Sequence, residues 1–352
     1  MRRLFLLLIC LSLPIIAWAV SAPDLVAQAQ AKKAHGDFKG ALTDYSAAIA
    51  QNPKNAAAYL GRASIYSLEA NYAAAIADDT KAIALDPKNA AAYSNRGNAR
   101  TYQGDLAGAI ADFNKALSLD PHHVHAFINR GSVKNLQKKY ASAIADYSAA
   151  IALDPKNAVA FYDRAGAKRS LGDYAGAKAD YSRAIELNPV DVHAYINRAV
   201  LEIAQRDWPA ATADLNKAAS LIPDERQAYI HLYLWVIAIK QGNDPVKATA
   251  ALSSEIAKVP KTMFENWGWE IARFVAGQET ENSFLTSAKE IQAKKAKGQE
   301  AQAYYFAGMK RTLAGNQVGA AKFFRESIAL GNPSLHEYTL AQKELKISAG
   351  GN

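Results

Sequence analysis

Residues 124–157 read VHAFINRGSVKNLQKKYASAIADYSAAIALDPKN, and the fold follows from how often that line is rewritten along the chain. Its Leu-Asp-Pro ending sets Pro155 thirty-four residues after Pro121, and the same interval links Pro53, Pro87, Pro189 and Pro223. Aligned on these prolines the chain gives six units, 22–55, 56–89, 90–123, 124–157, 158–191 and 192–225, without insertion or deletion. A fixed period of this length marks a stack of one supersecondary unit.

Within a unit the fourth place holds Leu25, Tyr59, Tyr93, Phe127, Phe161 and Tyr195. The twentieth is alanine throughout, as Ala41, Ala75, Ala109, Ala143, Ala177 and Ala211, and the twenty-seventh is alanine again. Small residues at these places let two helices approach closely. Gly36-Asp37, Gly104-Asp105 and Gly172-Asp173 mark a turn between them, because glycine takes the left-handed conformation that ends a helix. Each unit therefore reads as a helical hairpin.

The pattern of aromatic, small residue, Gly-Asp-Tyr, then Ala-x-x-Asp-Tyr-x-x-Ala-Ile-x-Leu-Asp-Pro resembles the tetratricopeptide repeat family over 22–225. The resemblance implies an all-α, right-handed superhelical solenoid whose first helices line a concave groove, each hairpin burying its apolar face only against its neighbours. Beyond Pro223 the phase breaks and returns at 301–333, where Tyr304, Gly308, Gly315, Ala320 and Phe324 outline a degenerate seventh repeat. Between them stand the aromatic stretch Tyr229–Trp235, the segment Glu265–Phe274 and a polar helix near Thr286–Lys297. Trp267 and Trp269, with Phe264 and Phe274, have the helical spacing of a packed core, so 226–346 reads as a divergent helical cap and 347–352 as a flexible tail. Trp267-Gly268-Trp269, Tyr304-Tyr305-Phe306-Ala307-Gly308 and Leu335-His336-Glu337-Tyr338 together resemble the NlpI family of bacterial outer-membrane lipoproteins across roughly 226–345. That resemblance implies an adaptor that brings cell-wall hydrolases together with other periplasmic proteins, proteases included.

The chain opens with Met1-Arg2-Arg3, an apolar run from Leu4 to Ala17, and Ala17-Trp18-Ala19, the order of a secretory signal on residues 1–19 cleaved after Ala19. The mature chain is then periplasmic or secreted in a bacterium and carries no transmembrane segment, the run being short for a bilayer. The sole cysteine, Cys10, lies inside the signal behind the bulky Ile9, which argues against lipid anchoring. Without it neither disulfide nor thiolate chemistry remains. Half of the residues are apolar and 21% are charged, which excludes a disordered chain. The formal charge of +8 falls by two, to +6, with Arg2 and Arg3, and the remaining cations alternate with acids, giving nucleic acid no basic block to meet.

Two ladders stand out. Arginine fills the seventh place as Arg62, Arg96, Arg130, Arg164 and Arg198, and aspartate the twenty-third as Asp44, Asp78, Asp112, Asp146, Asp180 and Asp214. They read as structural pairs, a guanidinium fork and a carboxylate satisfying each other at a packing surface. The sixth place, which this fold turns to the groove, holds Asn95, Asn129, Asp163 and Asn197. Amides there clamp an extended backbone from both sides, or simply face water; the sequence leaves both open. Asn98, Tyr102, His125, Ser132, Tyr162, Arg169 and His193 complete the expected partner-binding groove.

Other motifs are blander. His122-His123-x-His125 sits at the Pro121 turn without a fourth ligand, so no metal is expected. Gly172–Lys178 lacks the spacer and Gly-Lys pair of a phosphate loop. Neither His-Glu-x-x-His nor Gly-x-Ser-x-Gly occurs, and Glu265, Glu270 and His336 are the only hints of a catalytic cluster in 226–345. The sequence thus reads as a scaffold with no cofactor and no catalysis, binding proteins or extended peptides, with self-association as a structural protein of the envelope as the alternative.

Overall fold

The computed structural model describes residues 21–223, 227–259, 267–294, 298–330, 333 and 335–348. Residues 1–19, read above as a signal, with Cys10, and Phe264, Glu265 and residues 349–352, lie outside them. All regular structure among the described residues is helical. The chain divides into two compact units, 1–126 and 127–352.

The first unit holds three hairpins, α1 (Ala22–Ala34) with α2 (Phe38–Gln51), α3 (Ala56–Leu68) with α4 (Tyr72–Leu85), and α5 (Ala90–Gln103) with α6 (Leu106–Leu119). The turn chemistry sets each boundary. Asn55 and Asn89, two residues after each proline, cap the following helix by accepting from Ala58 N and Ala92 N, both at 3.1 Å. Asp37 and Asp105 cap the second helices through Gly40 N at 2.8 Å and Gly108 N at 2.9 Å. Gly36 and Gly104 stand at φ +80° and +85°, and Ala70 takes the same left-handed place at φ 58° where the sequence offers no glycine. The alanines of places twenty and twenty-seven are 0–1% exposed, so the paired helices meet there without side chains between them.

The second unit continues with α7 (Val124–Leu136) and α8 (Tyr140–Leu153), α9 (Ala158–Leu171) and α10 (Tyr174–Leu187), and α11 (Val192–Gln205) and α12 (Trp208–Ala219). There follow α13 (Ala228–Lys240), α14 (Pro245–Lys258), α15 (Trp267–Val275), α16 (Glu281–Lys294), α17 (Gln299–Leu313), α18 (Gln317–Leu330) and α19 (His336–Ser348). One core joins α11 to α19, with Tyr233, Trp269, Phe274, Phe284, Tyr305, Phe306 and Phe324 wholly buried. Phe284 stacks on Phe274 at 4.2 Å and on Trp267 at 5.5 Å between ring centres. α17 and α18 form a hairpin with the repeat's own close approach. A Cβ at Gly308 would meet the Phe324 ring at 2.6 Å, as one at Gly97 would meet Phe113 at 2.9 Å. α19 runs to Ser348, two residues into the stretch read as tail.

The two ladders meet inside each hairpin. Arg62–Asp78, Arg96–Asp112, Arg130–Asp146, Arg164–Asp180 and Arg198–Asp214 are bidentate, with every bond between 2.7 and 2.9 Å. Each guanidinium also lies 5.4–5.9 Å over the ring at the fourth place. A third bond ties it to the preceding hairpin: Arg62 to Ser46, Arg96 to Thr80, Arg164 to Ser148 and Arg198 to Ser182. A second cation completes several sites, with Arg100 on Asp112, Lys134 on Asp146 and Lys168 on Asp180. Asp44 has no arginine at the seventh place of its unit and pairs with Lys32 at 2.7 Å.

One position breaks the pattern. Place twenty-four is a buried ring in four units, as Tyr45, Phe113, Tyr147 and Tyr181, yet Asp79 occupies it in the second. Its residue is 0% exposed, neither carboxyl oxygen has a hydrogen-bond partner, and burial pushes its pKa up to about 8. Asp79→Tyr, which restores the ring, is expected to raise stability by about 2 kcal/mol in denaturant titration at pH 7; a loss of stability would show that the site cannot hold a ring. Asp146→Ala strands Arg130 and Lys134 and is expected to cost about 3 kcal/mol or more. An unchanged melting curve would refute the ladder's structural role.

Candidate functional site

In the first unit the first helices of successive hairpins, α1, α3 and α5, face a common open cleft of about 530 Å³. Lys33, Ser64, Tyr45 and Asn95 line it, and Gly61 stands at the sixth place where later units carry an amide or acid. The substitution has a steric cause, since a Cβ at Gly61 would lie 2.3 Å from the Tyr45 ring. Lys33 donates to Ser64 Oγ at 2.7 Å, and Ser64 donates to the Gly61 carbonyl at 2.6 Å. Asn95 is partly exposed at the edge of this cleft. Asn98 is likewise partly exposed, and His125 is exposed at the start of its helix. Tyr102 departs from the groove expectation: 65% exposed, it stacks on Tyr72 at 4.8 Å and 6°, closing the turn side of two neighbouring hairpins.

In the second unit the sixth place is not a row of free amides. Asn129 is partly exposed. Asp163 lies against the buried tyrosines 147 and 181, and burial raises its pKa to about 6. Ser132 is committed to the Ile128 carbonyl and to the Tyr147 hydroxyl at 3.2 Å. Arg169 is 6% exposed. Asn197, 7% exposed, is enclosed by the chain's own last helix, so it corrects the expectation of a partner-facing amide.

Around Asn197 runs a connected chain of hydrogen bonds along a cleft of about 680 Å³. Ile196, Ile222, Ile230 and Tyr229 make its apolar walls, His193 is exposed at its rim, and Tyr233, Gln302, His336 and Glu337 converge in it. Asn197 Nδ2 donates to the His193 carbonyl at 2.8 Å and to the Tyr162 hydroxyl at 3.1 Å. A carbonyl only accepts, so the amide cannot be reversed, and its Oδ1 must face His336 Nε2 at 2.8 Å. Nε2 therefore carries a hydrogen. His336 Nδ1 and Glu337 Oε1 lie 2.9 and 3.0 Å from the same Tyr233 hydroxyl, whose one hydrogen serves one of them. The other contact needs a proton on Glu337 or a second on His336. Burial raises the Glu337 pKa, and burial, with Arg169 and His193 nearby, holds His336 well below its ordinary value. Both shifts favour a proton on Glu337 over a second one on His336. Gln302 closes the chain, donating to Glu337 at 3.4 Å and accepting from Tyr229 and Trp267 at 3.1 and 3.0 Å.

In the sequence His336 and Glu337 stood out only within the stretch Leu335–Tyr338, with His336 also a stray catalytic hint, and Gln302 carried no signal, because their partners lie 35 to 139 residues away. Among the described residues no three metal-type side chains gather, and no helix is long and apolar enough to cross a membrane.

A carboxyl held neutral by the fold stabilises it below the ordinary carboxylate range, and that contribution is lost as pH rises through its folded pKa. Glu337→Gln keeps the donor without the charge. It should melt with the parent near pH 4 and increasingly above it towards pH 8; parallel melting curves across that range would mean that Glu337 is ionised in the fold.

Comparison with known proteins places this architecture. No curated protein matches the sequence. Among solved structures the chain is similar to PilF of Pseudomonas aeruginosa, at 20% identity and TM-score 0.53 over 57% of this chain and 92% of that one. It is similar to PilW, a type IV pilus biogenesis factor, at 22% identity and TM-score 0.53 over 56% and 92%. A tetratricopeptide repeat protein of Parabacteroides merdae is 17% identical at TM-score 0.49, over 94% of this chain and 100% of its own. Tetratricopeptide repeat profiles match residues 26–90, 90–123, 124–157 and 162–226. Over these residues the chain belongs to the tetratricopeptide repeat family.

Proposed function

We propose that the protein is an exported, non-catalytic scaffold that holds a polypeptide segment of a partner against the first helices of its repeats. The observation that carries this reading is the open cleft of the first unit, where Lys33, Ser64 and Asn95 offer polar contacts beside Tyr45 and Leu60. Gly61 admits the Tyr45 ring against α3 there. Fixed polar groups over an aromatic and aliphatic floor suit an extended peptide, whose main chain needs donors and acceptors and whose side chains need pockets. The converging side chains of the second unit satisfy one another, which favours a structural or binding role for them over chemistry.

The signal-like opening of the sequence supports export to the periplasm. The resemblance of 226–345 to the NlpI family supports an adaptor between cell-wall hydrolases and a protease.

Capture from envelope extract by the chain from Val20 onward tests the reading, run beside the double variant Asn95→Ala, Asn129→Ala at equal helicity. Captured hydrolases or a protease should fall at least tenfold with the variant. Equal capture by both forms would move binding away from this face, and sedimentation of the pure chain as a stable oligomer with nothing captured would favour the self-associating structural protein instead.

A further inference from the structure

α19 lies where the repeat register would place a guest. Its first turn meets Asn197 of α11 through His336 and Tyr233 of α13 through Glu337. One turn on, Tyr174 of α10 donates to Gln342 Oε1 at 3.3 Å, and the Lys343 ammonium lies 5.7 Å over the same ring. Lys240 of α13 pairs with Glu344.

This helix is held differently from its neighbours. α13 buries seven residues, five of them aliphatic, the other two being Trp235 and the hydroxyl-bearing Tyr233. In α19 the fully buried apolar residues are Leu340 and Ala341 alone among those described, beside the buried polar residues Glu337 and Thr339. Much of its contact thus consists of ionisable and polar groups withdrawn from water, which stabilise a docked helix far less than the same area of hydrocarbon. Segments with few buried apolar contacts open locally at lower free energy than the core.

The 680 Å³ cleft begins at the start of α19, beside Leu335 and His336, and runs between Ile196, Ile222 and Ile230. A helix lying along α19's path and continuing beyond its N-terminus would place apolar side chains in that space, which α19 leaves open.

We propose that this face of α9 to α13 is a helix-docking site, that α19 is its resident occupant, and that a partner's amphipathic helix of like chemistry displaces it. The matching partner carries an imidazole or amide donor for Asn197 and a neutral acid or amide for Tyr233 and Gln302 in one turn. Small or aliphatic residues fill the next turn, and a bulky apolar residue precedes both. The proposal rests on the concave face being the binding surface. If capture depends on Asn95 and Asn129 but the experiment below fails, this proposal falls alone.

The probe is a fluorescein-labelled synthetic peptide of residues 333–348, titrated into the full chain. The parent should bind it weakly, since α19 competes. His336→Ala in the chain loosens the resident, and the variant should bind the peptide at least tenfold more tightly; adding Asn197→Ala should abolish that gain. Hydrogen exchange on the unaltered chain gives an independent reading, with α19 amides expected to exchange at least tenfold faster than those of α18. A folded His336→Ala chain that binds no better than the parent, or a gain that survives Asn197→Ala, overturns the proposal. So does equal protection of α19 and α18, which decides the matter alone if His336→Ala does not fold.

Discussion

The arginine at the seventh place is the joint on which each repeat turns. Its fork takes both oxygens of the aspartate on its own second helix, and its remaining nitrogen reaches a hydroxyl of the hairpin before. One side chain thus sets both the angle inside a hairpin and the offset between hairpins. Alanines at places twenty and twenty-seven supply closeness but no direction, because a methyl contact has no preferred orientation. A planar, bidentate ion pair supplies it. The desolvation cost of partly burying these charges is offset by completeness, each carboxylate oxygen meeting a guanidinium and, in three hairpins, a second cation.

The period, the hairpins and the ladder were legible in the sequence for one reason. Their contacts are short in sequence and repeat, so a residue type at a fixed place reports a contact at a fixed place. The Asp-Pro or Asn-Pro ending marked the close of a unit, and in the structure Asn55, Asn89 and Asn157, two residues after their prolines, cap the helix that follows. The groove was legible only in part. Asn95 lines a cleft as expected of its place, but Asn197 has the same place and a different fate. Nothing at Asn197 distinguishes it, because what changes its surroundings is a helix 139 residues further on. Asp79 was hidden for the opposite reason: an acid in a second helix reads as solvent-facing until the rings at the same place in other units are seen to be buried.

The divergent region turns the repeat's plan towards a different end. α17 and α18 keep the close glycine-to-ring approach of a hairpin, but α15 and α16 pack against α17 with stacked aromatic side chains of their own. The result is a core in which polar groups are few and therefore tightly specified. The His193 carbonyl fixes the direction of Asn197 and through it His336 Nε2, and Trp267 fixes that of Gln302, with Tyr233 and Glu337 joining the two.

The ladder pairs are sixteen residues apart, whereas Tyr233 reaches Glu337 across 104, Asn197 reaches His336 across 139 and Tyr174 reaches Gln342 across 168. Short closures cost little chain entropy, so hairpins form as soon as their residues are available, each templating the next. The long closures need the C-terminal helix and wait for it. During synthesis the repeats, which emerge before α19, are therefore assembled first with Asn197 and Tyr174 uncovered until α19 is laid over them.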